Sequence, residues 1–190
     1  MNKKQEKLYN KLIEKYNFSP SQLNQIKMGL IFNLDVAIYA KPEFTWKQME
    51  QIKLGLWNKI NVSIYLNTEF NDKQMEQIRW GLEDGLDVSI YAKPYFNYWQ
   101  MEQIKLGLEN NINVSIYTNP EFNCFQMEQI RLGLKEGLDV SLYAVSEFND
   151  LQMHQIRLGL QNKTNVEIYL NPGIDYEEME RIRLNLEKEQ

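Results

Sequence analysis

The residue types that carry most enzymatic chemistry are nearly absent from this chain of 190 residues, which has one histidine, His154, and one cysteine, Cys124. Nucleophilic or metal chemistry needs such groups to converge with carboxylates on one point. His154 stands in a slot that carries Glu50, Glu76, Glu102 and Glu128 elsewhere in the chain, and Cys124 in one that carries Asp72 and Asp150. Both read as surface residues, and nothing near Cys124 in sequence supplies a base. No glycine-rich turn leads from a strand into a helix to cradle a phosphate. The expectation is a protein that is not an enzyme and uses no cofactor or metal.

Two other sets of residues could serve recognition. The first is a column of cations, Lys27, Lys53, Arg79, Lys105, Arg131, Arg157 and Arg183. A regular basic ladder can follow a nucleic-acid backbone. Glu50, Glu76, Glu102 and Glu128 lie three residues earlier, close enough on a helix to pair with it and cancel its field. A solvated ion-pair face is therefore expected, with nucleic-acid binding as the alternative.

The second set is apolar. Trp46, Tyr98, Trp99, Phe125 and Leu151 fill slots that hold Asp72, Lys73 and Asp150 in other copies of the same pattern. Trp57 and Ile31 likewise replace Glu83 and Glu109, and Tyr95 replaces Glu43 and Glu69. Large apolar groups in slots that tolerate charge mark a surface for a protein partner or for self-association. The competing expectation is that these aromatics cover the edge of the fold by packing on one another. Trp80 has Leu54, Leu106 and Leu132 as counterparts and is expected in the core.

The slots exist because the chain repeats itself every 26 residues. Gly29, Gly55, Gly81, Gly107, Gly133 and Gly159 keep that spacing without an insertion, as do Tyr39, Tyr65, Tyr91, Tyr117, Tyr143 and Tyr169. A strict period of this length marks a stacked-repeat solenoid. Within Phe70 to Tyr91, Asn71 and Gln74 have the spacing of a reciprocal helix cap, and Phe70 and Met75 that of a hydrophobic staple. Met75, Ile78, Leu82 and Leu86 form one stripe, which predicts a helix of about thirteen residues. Gly85, Gly137, Asn33 and Asn111 stand where a left-handed residue should end it.

The following LDVSIYA stretch has strand-like residues, so a helix-plus-strand solenoid of leucine-rich type stays open. An Asp or Asn at each N-cap slot, and prolines at 42, 94, 120 and 172, favour a short second helix instead. The glycine column is expected to be the seam where the backbone of a neighbouring helix comes close. Asp35, Asp87 and Asp139 alternate with Asn61, Asn113 and Asn165, so the larger unit is a pair of repeats.

The expected fold is thus an all-α solenoid of about seven 26-residue helix–turn–short-helix repeats. Residues 1–17, with Leu8, Leu12, Ile13 and Tyr16 as an apolar stripe, form an N-terminal capping helix; 18–173 hold six full repeats; 174–190 form a C-terminal capping helix. Hydrophobic content of 43% is enough for one continuous core. A net charge of −5 argues against a protein that mainly neutralises phosphates. The first residues lack the apolar run of a signal peptide and no segment has the length of a membrane span, so the cytoplasm is the expected compartment.

The run QMEQIRLGLKEGLDVSLYA, residues 126 to 144, resembles a tandem repeat of proteins of unassigned role from mobile elements and phages of Firmicutes. The resemblance covers residues 18 to 184. It implies a repeat scaffold in a mobile-element setting, where a small acidic solenoid could inhibit a host defence or replication protein. It implies no activity and transfers no functional residue.

Overall fold

A computed structural model describes residues 1–189, and among these the regular structure is entirely helical. The α-helices are α1 (Lys3–Lys15), α2 (Pro20–Ile31), α3 (Trp46–Trp57), α4 (Asp72–Glu83), α5 (Tyr98–Glu109), α6 (Cys124–Lys135), α7 (Asp150–Gln161) and α8 (Tyr176–Lys188). Between α2 and α8, each connection carries a three-residue 3₁₀ turn, such as Val88–Ile90 after α4. The short second helix is therefore a single turn. Asp87 caps it by accepting from the Ser89 N–H at 3.1 Å, and its Asp or Asn counterparts do the same.

The chain divides into two compact units, Met1–Tyr98 and Trp99–Gln190. Nothing in the repeat pattern marks that boundary, which falls at the first turn of α5. In the first unit α1, α2, α3 and α4 pack in succession; in the second, α6, α7 and α8 do so. The repeats that start at Phe44, Phe70, Phe96, Phe122 and Phe148 bury the same set, and the first repeat differs in having a half-buried Leu23 at the methionine slot. In the third repeat that set is Phe70, Met75, Ile78, Val88 and Tyr91.

The helix starts follow the sequence closely. Asn71 Oδ1 accepts from Lys73 and Gln74 N–H, and Gln74 Oε1 accepts from Asn71 N–H at 2.8 Å, which satisfies donors that the first turn leaves open. The same box closes α1, α2, α3, α6 and α7. At the other end Asn33, Gly85, Asn111 and Gly137 take positive φ, as expected, and so do Lys59 and Lys163.

The glycine column does something other than admit a neighbouring helix. A Cβ built on Gly81 would lie 1.9 Å from the hydroxyl of Tyr91, in the same repeat. The tyrosine folds back from the 3₁₀ turn and its hydroxyl donates to the Gln77 carbonyl at 3.2 Å, one helical turn before Gly81. Tyr39, Tyr65, Tyr117 and Tyr143 bond the carbonyls of Gln25, Gln51, Gln103 and Gln129 in the same way. Glycine is needed so that the phenol can reach the helix backbone. Burial raises the pKa of these tyrosines well above the ordinary phenol value.

Within each unit, two amide columns tie one repeat to its successor. Gln74 Nε2 donates to the Phe96 carbonyl at 2.7 Å, immediately before the following helix; Gln126 does so to Phe148 at 2.7 Å. The second column accepts: Gln51 Oε1 takes a bond from Arg79 Nε at 2.9 Å, and Gln103 Oε1 one from Arg131 Nε at 2.9 Å.

The N-terminal helix packs differently from expectation. Leu8 and Ile13 are exposed, whereas Gln5, Tyr9, Leu12 and Tyr16 are half-buried, and no residue of α1 is fully buried. Gln5 Nε2 ties α1 to the end of α2 by donating to the Leu30 carbonyl at 2.6 Å. At the other terminus α8 places Asn185 where earlier helices have glycine, and no 3₁₀ turn follows it among the described residues.

Candidate functional site

In the second unit, Trp99, Phe125 and Leu151 occupy the second position of α5, α6 and α7. They are 51%, 59% and 45% exposed. Placement there follows from the caps. Asn123 and Asn149 fix the first turns of α6 and α7, and Gln126 and Gln152 point inward to bond the next repeat, so the residue just before each glutamine faces out. The equivalent residues of α2, α3 and α4 are Ser21, Lys47 and Lys73.

A hollow of about 380 Å³ opens beside this strip, lined by Trp99, Glu102 and Gln103 of α5 and by Cys124, Phe125 and Glu128 of α6. Cys124 is half-buried, and its thiol pKa is raised, first by burial and further by the charges of Glu128 and Asp150. It is thus held as a thiol and is a poor nucleophile.

Tyr98, the first residue of α5, is half-buried and does not belong to the exposed set. In the first unit the candidates fall in separate places. Trp57 lies at the end of α3 and meets Phe32 edge-on, with ring centres 4.7 Å apart, beside the exposed Ile31. Phe32 is a residue that sequence reasoning missed, although its counterparts Asn58, Asp84, Asn110, Glu136 and Asn162 are all polar and signal the same kind of slot. A hollow of about 160 Å³ beside the pair includes Lys53. Trp46 is exposed at the start of α3 under the Lys47 ammonium, and Tyr95 is exposed and packed against Phe96. Trp80, expected in the core, is exposed along one edge and carries the Arg79 guanidinium over its ring at 5.7 Å.

The cation column is not the solvated face that its charge suggests. Arg79, Arg131, Arg157 and Arg183 are buried, each giving its Nε to a glutamine of the preceding repeat, and Lys53 gives its ammonium to Gln25 Oε1 at 2.6 Å. Lys105 is half-buried; Lys27 remains exposed. The carboxylates that pair with the column also differ from those expected. Glu83, Glu109 and Glu187 lie four residues later on the same helices, and Glu136 comes from the preceding repeat. Of the carboxylates three residues earlier, Glu180 approaches Arg183, at 3.9 Å.

His154 is half-buried rather than solvated, with Nδ1 3.2 Å from Gln129 Oε1 and 3.3 Å from Arg157 Nη2. Burial lowers its pKa, and the charges of Arg157 and Arg183 lower it further. Burial and two neighbouring positive charges both disfavour a charged ring, so the neutral imidazole is the form that fits. Its contribution is complete above the ordinary imidazole value of about 6.5 and is lost as pH falls through the lower folded value. His154→Gln should therefore lose less stability than the parent as pH drops below about 6.5, which urea midpoints at a series of pH values would measure.

No group of three or more His, Cys, Asp or Glu that could hold a metal occurs among the described residues, and no described helix is long and apolar enough to cross a membrane. No protein-family model matches the chain, and searches of curated proteins and of solved structures returned no match either.

Proposed function

We propose that this chain is a non-enzymatic helical-repeat scaffold that binds a protein partner through Trp99, Phe125 and Leu151. The observation that carries this reading is three large, exposed apolar side chains at one slot of three successive helices, where the corresponding residues of the first unit are serine and lysine. Buried aromatic anchors supply most of the affinity in protein interfaces, and an apolar strip rimmed by charge is their usual free state. The mobile-element setting implied by the sequence resemblance would make the partner a host protein and the scaffold its inhibitor.

Nucleic-acid binding through the Lys/Arg column has less to stand on. Four of the seven cations are buried and bonded to amides, which leaves little charge to displace counterions from a phosphate backbone.

The test is Trp99→Lys with Phe125→Lys, which installs the residue that α3 and α4 already carry. Circular dichroism and the urea midpoint should stay at parental values, while partner capture from host extract, or self-association in sedimentation, should weaken about 100-fold or more. Unfolding of the double variant would show that these side chains are core and sink the reading. Steeply salt-dependent binding of any DNA or RNA would replace it with the nucleic-acid one.

A further inference from the structure

We infer that the hollow between the first turns of α5 and α6 receives an arginine side chain of the partner protein; this rests on the partner-binding reading above and names the chemistry of its occupant. The walls have the composition that a guanidinium needs. Trp99 and Phe125 offer aromatic surface, and Glu102 and Glu128 offer carboxylates one turn deeper along their helices. Arginine combines a flat cation that stacks on rings with a fork of donors that fits a carboxylate.

The two carboxylates are available. Among the described residues neither belongs to an ion pair, whereas Glu76, Glu83, Glu109, Glu136 and Glu187 all do. No cation lines the hollow, and Arg131, the nearest by bonding, is buried with its Nε given to Gln103. An anion finds no better welcome at the helix start. The first-turn N–H groups of Phe125 and Gln126 are both taken by Asn123 Oδ1 at 2.9 Å.

The volume, about 380 Å³, lies near the lower end for ligand pockets and suits one or two side chains rather than a cofactor. The wider charge distribution points the same way. Residues 99–190 hold eight Lys and Arg against fifteen Asp and Glu, a balance of −7, while residues 1–98 hold thirteen against eleven. A basic partner is thus drawn to the unit that carries the strip. The Phe32 and Trp57 hollow is smaller and has Lys53 in its wall, so it lacks this complementarity.

The test uses the full chain and three fluorescein-labelled hexapeptides, of alternating leucine with arginine, with citrulline or with glutamate. Citrulline keeps the shape of arginine and removes its charge. The arginine peptide should bind at least 10-fold more tightly than the citrulline peptide, and the glutamate peptide should not bind. Glu102→Gln with Glu128→Gln, folded as judged by its urea midpoint, should weaken the arginine peptide about 10-fold and leave the citrulline peptide unchanged. Equal binding of the arginine and citrulline peptides, indifference of the arginine peptide to the double variant, or no binding at all overturns the assignment. Loss of the native partner in the Trp99→Lys, Phe125→Lys protein alongside any of these results would keep the apolar strip and remove only the arginine.

Discussion

Gly81→Ala is expected to lower folding stability by about 3 kcal/mol, even though alanine is the better helix former by about 0.5–1 kcal/mol. The new methyl would sit 1.9 Å from the Tyr91 hydroxyl and 2.9 Å from a Val88 methyl, well inside any permissible contact. Either the helix moves off its 3₁₀ turn or the fully buried phenol leaves its place, and loss of a large buried ring costs about 3–5 kcal/mol. Two companions separate the causes. Tyr91→Phe in the same chain removes the closest atom and should restore part of the loss. Gly85→Ala meets nothing within 4 Å but must adopt φ near +72°, so its cost, about 1 kcal/mol, should come from the backbone alone. Urea midpoints of the four proteins would decide; a Gly81→Ala protein as stable as the parent would mean that the Tyr91 phenol does not lie against the helix at Gly81.

The second large effect is expected at Gln126, whose replacement by alanine should cost about 2–3 kcal/mol. One side chain holds two elements at once. Its Oε1 accepts from Asn123 N–H at 2.8 Å to close the cap of α6, and its Nε2 donates to the carbonyls of Phe148 and Ser146 at 2.7 and 3.3 Å. Truncation leaves buried backbone groups without partners, which is costlier than the bonds themselves. Gln126→Glu tests the two halves separately. A carboxylate still accepts from Asn123 but faces two carbonyl oxygens with no proton to give, so its neutral form is favoured and its pKa should rise. Stability relative to the parent should then be poorest at neutral pH and improve as pH falls through that raised value. A Gln126→Glu protein whose deficit does not change with pH would remove the amide from the inter-repeat bonding.

The helix starts and ends were legible because their determinants are local. Asn71 with Gln74, and Gly85 with Asn33, act within one turn of where they stand. Length was nearly so: twelve residues in each repeat helix against about thirteen expected, the difference lying at the C-cap. The partner of the glycine column was not legible, because Tyr91 is ten residues away and reaches Gly81 only after the chain has turned back. Burial of the cation column was hidden for a similar reason. Arg79 bonds Gln51, 28 residues earlier, and a Lys/Arg column looks like surface until the amide opposite it is known. The stripe of α1 was misplaced because that helix lies outside the repeat, so no equivalent slots could arbitrate between Leu8 and Tyr9. The exposure of Trp99, Phe125 and Leu151 was legible from comparing slots between repeats, since a slot that tolerates Lys73 must be wet. It failed for Tyr98, whose neighbouring slot is more sheltered than Asp72 and Asp150 suggested.

The glutamine bonds between repeats keep fixed offsets, 20 and 22 residues from Gln74 to Pro94 and Phe96 and 28 from Gln51 to Arg79. The chain accordingly has something like a reading frame. One residue gained or lost between two caps would shift every donor past its acceptor in that stretch, whereas gain or loss of a whole module would leave all of them in register. Growth in steps of 26 is the only change of length that such bonding lets pass unnoticed, which accounts physically for spacing that never slips.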